Sequence, residues 1–326
     1  MAGTKKIEYA LGVDLGGTNI VAGLVNSKGK VIYREKIPTR AHLGGENILN
    51  RIASAISLVL NKTTSDIKKK IKGMGIGTPG LVDHIKGIVR EPPNLPGWKE
   101  IHLKEWLEKK FKIPTYVAND GNAYGVGEYI FGAGKGADSM VCITLGTGMG
   151  GGLILDKKLF VGTYQSAGEV GHIVVEKDGL RCNCGNVGCV ERYIGASFIV
   201  ERTKKLIKSG KKSLITKLVN NDLNKITPKI ITDAAKKGDK IAIQIWKETG
   251  EYIGTALVSI INLLSPEIIV IGGGVSLAGR FLFTPIRKTV KKRLFKYLAQ
   301  RVKIVPGKLL DDAGVLGSAS LVWHHF

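Results

Sequence analysis

The chain has 326 residues, 44% hydrophobic and 23% charged, with 49 Lys plus Arg against 27 Asp plus Glu and a formal net charge of +22. That apolar content excludes a disordered chain, and the length suits about two domains. The most apolar stretch, 255–275, is broken by Asn262, Pro266 and Glu267, so it falls short of the ~20 uninterrupted apolar residues of a membrane-spanning helix.

Glu8 and Asp14 interrupt any signal-peptide core after Lys5 and Lys6, so a cytoplasmic protein is expected. In that reducing compartment the four cysteines are expected to bind metal or lie buried rather than pair. The basic excess falls in runs such as 67–72, 202–212 and 287–296, which interleave cations with apolar residues at helical spacing. With aromatic residues at 6%, these runs read as solvated helix faces, not as a nucleic-acid platform. The same charge raises the local concentration of a polyanionic substrate.

Residues 10–14 and 20–25 read as strands joined by Leu15-Gly16-Gly17-Thr18-Asn19, and a third strand, 30–37, follows the turn Asn26-Ser27-Lys28-Gly29. Connections this short make antiparallel hairpins. In 45–61, Ile48, Leu49, Ile52, Ile56, Val59 and Leu60 share one face of an amphipathic helix. Strand 72–77 ends in Thr78-Pro79-Gly80 and strand 114–118 in Asn119-Asp120. Strand 139–145 then runs into the glycine loop 146–152, followed by 153–155 and long helical segments, and strand 268–271 ends in Gly272-Gly273-Gly274. The device of strand, Gly/Thr turn and returning strand thus occurs twice. Alternating strands and helices after each copy predict α/β layers around mixed sheets.

Asp14-Leu15-Gly16-Gly17-Thr18-Asn19 and Gly146-Thr147-Gly148 share a phosphate-binding logic. Glycine reaches φ > 0 and admits a ligand to the backbone, and successive N–H groups form an anion nest. Thr18 and Thr147 add hydroxyls, and Asp14 at a strand end is suited to Mg²⁺ held between phosphates. Gly272, Gly273 and Gly274 would let a nucleotide's base and ribose lie against backbone. No Walker Lys-Ser/Thr follows either loop.

His172, Cys182, Cys184 and Cys189 place one imidazole and three thiols within residues 172–189. Such a set favours tetrahedral Zn²⁺ over free thiols or a disulfide in a reducing cytosol, with Gly185 and Gly188 permitting the tight loop. Four protein ligands close the site, so the zinc would be structural. Cys142 reads as a core residue.

Together these motifs resemble the sugar kinases of the actin/hexokinase fold, and within them the ROK family. The resemblance runs from Leu11 to Leu321, includes Asp311-Asp-Ala-Gly-Val-Leu-Gly317, and is most specific in Gly171-His172 and Cys182-Asn-Cys184-Gly185-Asn-Val-Gly188-Cys189-Val-Glu191. It implies a two-domain actin-like ATPase (ribonuclease H-like) fold with a small zinc-binding loop. The expected smaller domain is 1–118 plus 310–326, and the larger is 119–309 with the loop 172–189.

The resemblance also implies ATP, as its Mg²⁺ complex, phosphorylating a hexose at the 6-hydroxyl. Glucose is expected because Asn94-Leu-Pro-Gly-Trp98 and Ala167-Gly-Glu169-Val-Gly-His172 look like the glucose-phosphorylating versions of these segments. N-acetylmannosamine, N-acetylglucosamine, fructose or allose as acceptor, and polyphosphate as donor, remain open. Asp120 is implied as the base, and Asn94, Asn119, Asp120, Glu169, His172 and Glu191 as sugar contacts. Without the resemblance, Asn119-Asp120-Gly121 would read as a helix N-cap or turn. Implied partners are the sugar and ATP in a homodimer or homotetramer, with no nucleic acid or membrane. The family includes sugar-sensing repressors, but ten residues precede Leu11, too few for a winged helix-turn-helix, so that role is not expected.

Overall fold

A computed structural model describes residues 7–90, 92 and 95–324. No helix among the described residues is long and apolar enough to cross a membrane. The chain divides into two compact units: Met1–Cys142, Gly152–Gly168 and Lys308–Phe326 form the first, Ile143–Gly151 and Glu169–Gly307 the second.

The first unit is built on β1 (Tyr9–Leu15), β2 (Asn19–Asn26), β3 (Val31–Pro38) and β4 (Ile71–Thr78). A small antiparallel sheet of β5 (Leu81–Asp83), β6 (Ile88–Arg90) and β7 (Glu100–His102) intervenes before β8 (Thr115–Asn119). The main sheet has the order β3-β2-β1-β4-β8, antiparallel across β1–β3 and parallel from β1 to β8. Strands β1 and β2 are near-continuous apolar runs because both faces are covered, whereas edge strand β3 alternates.

On one face the helix Gly45–Lys62 sets Ile48, Ile52, Ile56 and Val59 among Leu11, Val13, Leu24 and Met74. On the other the helix Ala313–Ser320 packs Val315 and Ala319 against Ala10, Val21 and Val25. This second helix lies directly on the strands: a Cβ at Gly12 would collide with the Val315 carbonyl, and one at Gly75 with that of Ser318. The Gly77 N–H donates to Ser318 Oγ at 3.0 Å, so the contact is polar as well as close.

The register pairs Asp14 with Gly77 and Thr78 with Asn119. Parallel strands β1, β4 and β8 therefore end at one edge, where α/β sheets bind ligands. Glu128, fully buried, accepts backbone N–H groups of Ala133 (2.8 Å), Lys308 (3.1 Å) and Leu309 (2.8 Å). Those donors satisfy a carboxylate that would otherwise be costly to bury.

The second large sheet contains β9 (Met140–Leu145), β10 (Met149–Leu155), β11 (Lys158–Leu159), β12 (Ile268–Gly272) and β13 (Lys303–Pro306), in the order β11-β10-β9-β12-β13. Strand β10 begins at Met149, so Gly150–Gly152 are strand backbone and not the loop expected from sequence. In the second unit the helix Lys240–Leu264 is capped by Asp239, whose carboxylate accepts the Ala242 N–H at 2.7 Å. Its Gly250 and Gly254 admit Pro285 and Thr289 of the helix Arg280–Arg293.

Candidate functional site

In the first unit, the β1–β2 turn is closed by the Gly16 N–H donating to the Asn19 carbonyl at 2.9 Å. Thr39, fully buried, braces it twice: its N–H donates to Thr18 O at 2.8 Å and its hydroxyl to Gly16 O at 2.6 Å. Asp14 lies against the first turn of the helix Ala313–Ser320, where a Cβ at Gly314 would stand 2.5 Å from its Oδ2. A carboxylate is favoured at that positive helix end.

Asp120 opens the helix Asp120–Ile130 and Asn119 is its N-cap. Asn119 Oδ1 accepts from Gly121 N (2.9 Å) and Asn122 N (3.3 Å), and its Nδ2 donates to Gly80 O at 3.1 Å. The N-cap reading of this sequence is thus correct, and it orients the neighbouring Asp120. Asp120 Oδ1 accepts the Gly121 N–H at 2.8 Å.

Both carboxylates keep some solvent exposure, yet the protein around each is dense enough for desolvation to be the largest influence. It raises Asp14 from 3.8 to about 6, with repulsion from Asp120 adding and the Arg34 guanidinium opposing. Desolvation also raises Asp120, against hydrogen bonding from Gly121. Arg34 is held by Asp312 Oδ1 at 2.9 Å and the Asp311 carbonyl at 3.2 Å.

In the second unit, Gly146 N donates to Gly148 O at 3.0 Å, and Ala196 N to Gly146 O at 2.9 Å. The helix Ala196–Lys208 thus starts against the turn, with its positive end where a phosphate loop is expected. Gly273 backs onto the Leu145 carbonyl at the end of β9. The glycine logic needs correction here. Of the glycines assigned to phosphate or nucleotide, Gly273 is the one that takes a left-handed φ, 84°. Gly16 and Gly148 instead answer to space, for a Cβ would press on Asn19 O in one case and on the Glu191 carboxylate in the other.

His172, Cys182, Cys184 and Cys189 converge, with their ligand atoms all within 4.8 Å of one another. Cys184 Sγ lies 3.7 Å from Cys189 Sγ, and Cys182 Sγ 3.9 Å from His172 Nδ1. Those spacings fit a tetrahedral zinc site, whose ~2.3 Å Zn–S bonds put sulfurs roughly 3.8 Å apart. Gly185 (φ 92°) and Gly188 (φ 77°) turn the loop back. Burial, with the other thiols beside it, pushes Cys189 up to about 12, while the Asn186 N–H pulls Cys184 down. Three thiols and one imidazole this close together form the donor set that suits a thiophilic cation. With Nδ1 toward the sulfurs, His172 Nε2 faces Glu169 Oε2 at 3.9 Å.

The first unit therefore gathers Asp14, Gly16, Gly17, Thr18 and Asn19 with Asn119 and Asp120. The second gathers Gly146, Thr147, Gly148 and Gly272–Gly274, and sets Glu169 and Glu191 beside the metal cluster. Asn94 lies outside the described residues. Sequence reasoning missed Thr39, Arg34 and Gly314. The only available signal was Gly314 within the segment 311–317, which was matched without a role.

Two hairpin-opened mixed sheets with a glycine turn in each belong to the actin-like ATPase fold of sugar kinases, and the His/Cys₃ cluster is consistent with a zinc-binding loop. The ROK family profile matches residues 10–325, and the chain belongs to the ROK family. It is 37% identical to a glucokinase of Thermotoga maritima, over 96% of both chains. It is 32% identical to a xylose repressor of Caldicellulosiruptor bescii, over 98% of this chain and 79% of the repressor. Among solved structures, a ROK family glucokinase from Streptomyces griseus in complex with glucose and AMPPNP superposes with a TM-score of 0.86 at 34% identity, covering 96% of this chain and 98% of that one.

Proposed function

We propose that this chain is a cytoplasmic glucokinase, transferring the γ-phosphoryl group of ATP to the 6-hydroxyl of D-glucose. The reading rests on likeness to glucokinases over 95–96% of the chain at 35–37% identity. The single structural observation that carries it is Asp120: a partly desolvated carboxylate at the carboxyl edge of a sheet, oriented by a capped helix start.

Phosphoryl transfer to an alcohol needs positioning, charge neutralisation and a group to take the hydroxyl proton. Asp120 takes that proton, and its raised basicity suits the task. The turns at Gly16–Asn19 and Gly146–Gly148 offer N–H groups to the phosphates. Asp14 is the residue suited to Mg²⁺, which supplies positive charge to the phosphate oxygens when bound. Asn94, Asn119, Asp120, Glu169, His172 and Glu191 bind the sugar hydroxyls. Of these, Asn119 has already committed its carbonyl oxygen to the helix cap and one amide hydrogen to Gly80 O, leaving the second amide hydrogen for a hydroxyl. His172, Cys182, Cys184 and Cys189 would hold Zn²⁺ as a cross-link, leaving His172 Nε2 for sugar.

The test is a panel of hexoses and N-acetylhexosamines with ATP or polyphosphate, scored by kcat/KM. Glucose with ATP should rank first. A higher value for N-acetylmannosamine or another acceptor would displace this reading within the kinase class.

A further inference from the structure

The Glu191 carboxylate does something for which a sugar contact does not account. Its Oε2 accepts the backbone N–H of Met149 at 2.9 Å, at the residue where the turn Gly146–Gly148 becomes β10. The same oxygen occupies the space a Cβ would need at Gly148, and stands 3.3 Å from where one would sit on Gly171. The backbone of Glu191 is fixed as well, since Gly195 N donates to Glu191 O at 2.9 Å. The next residue, Ala196, donates to Gly146 O. One short segment after the last cysteine therefore grips the turn at both ends, Gly146 through Ala196 and Met149 through Glu191.

We infer that Glu191 is a positioning residue for the phosphate-side turn, one oxygen holding it in shape while the carboxylate still faces sugar. Met149 is 4% exposed, so losing Oε2 would leave its N–H short of water as well as of a partner. A charged acceptor makes the stronger class of hydrogen bond, and its loss would cost the ordered turn that awaits phosphate. This inference rests on the kinase reading for the turn's ligand but not on which sugar is used.

The experiment titrates Mg²⁺·AMPPNP by calorimetry in sugar-free buffer. Glu191→Ala should bind about tenfold more weakly than wild type, the loss expected of one charge-assisted hydrogen bond. Glu191→Asp, one methylene too short to reach Met149, should weaken binding similarly. Glu191→Gln keeps a carbonyl acceptor and should stay within roughly threefold, while its glucose KM rises. Circular dichroism and bound-metal analysis confirm that each variant is folded, and Asp serves where Ala is not. Wild-type nucleotide affinity in a folded Ala or Asp variant would overturn the inference, since a sugar contact alone predicts that result. A wild-type protein that binds AMPPNP but ignores glucose would sink the glucokinase reading and leave the titration decisive on Glu191.

Discussion

Gly314→Ala is a small change with a large expected effect. The added methyl would stand 2.5 Å from Asp14 Oδ2 and 2.6 Å from its Cγ. Ordinary contact starts at 3.4 Å, so the carboxylate must retreat by about 0.9 Å, the difference between 3.4 and 2.5 Å. Helix propensity works the other way, favouring Ala over Gly by ~1 kcal/mol at a helical position. Overpacking costs ~1–3 kcal/mol, so the net stability change should lie within about 2 kcal/mol. The kinetic effect should be larger. Misplacing a reacting group by ~1 Å costs on the order of 10²-fold, so kcat/KM for ATP should fall about that much. A coupled assay for ADP under saturating glucose measures the rate, and a thermal melt checks the fold. A folded variant with wild-type kcat/KM for ATP would show that Asp14 does not need its present position.

Asp120→Asn should keep the fold and sugar binding while lowering kcat by ~10²–10⁴, and in wild type the acid limb of kcat/KM should lie above the ordinary carboxylate range. Asp14, raised to about 6 in the folded protein against 3.8 unfolded, favours the folded state most at low pH and loses that contribution as pH rises through 6, so Asp14→Asn should stabilise the Mg²⁺-free protein more at pH 7 than at pH 5, read as Tm. Metal analysis should find about one zinc per chain, absent from Cys184→Ser, whose glucose KM should rise while it remains folded. Glu128→Gln presents an amide to N–H groups that now meet a carboxylate, and should cost roughly 2–4 kcal/mol in denaturant unfolding with KM values little changed.

Local patterns made the strands of five or more residues, the helix Gly45–Lys62 and the metal loop legible, because period, turn chemistry and ligand identity are local properties, whereas the shorter β5, β6, β7, β11 and β13 are too brief to show a period. The N-cap at Asn119 was legible for the same reason. What sequence did not reveal were contacts between distant segments. Arg34 reaches Asp312, Glu128 reaches Lys308, and Gly314 shelters Asp14, each across well over a hundred residues. The glycines show the limit most clearly. Gly148 looked like a residue freed for unusual backbone angles, but what it provides is room for the Glu191 carboxylate. Nothing in the local sequence singles out His84, yet burial pulls it down to about 4 and its Nε2 has no hydrogen-bond partner among the described residues.

The helix Ala313–Ser320 supplies one wall of a sheet whose first strand begins at Tyr9. During synthesis, residues 9–119 can pair their strands and bury one face against Gly45–Lys62 long before that wall exists. Until the helix Ala313–Ser320 leaves the ribosome, Ala10, Val21 and Val25 lack their cover, beside the groove that Gly12 and Gly75 keep open. The first unit to begin folding is thus completed last, and its nascent form carries an apolar trough open to other chains. A frameshift near position 308 would leave the whole second unit translated and still strand the first in that exposed state.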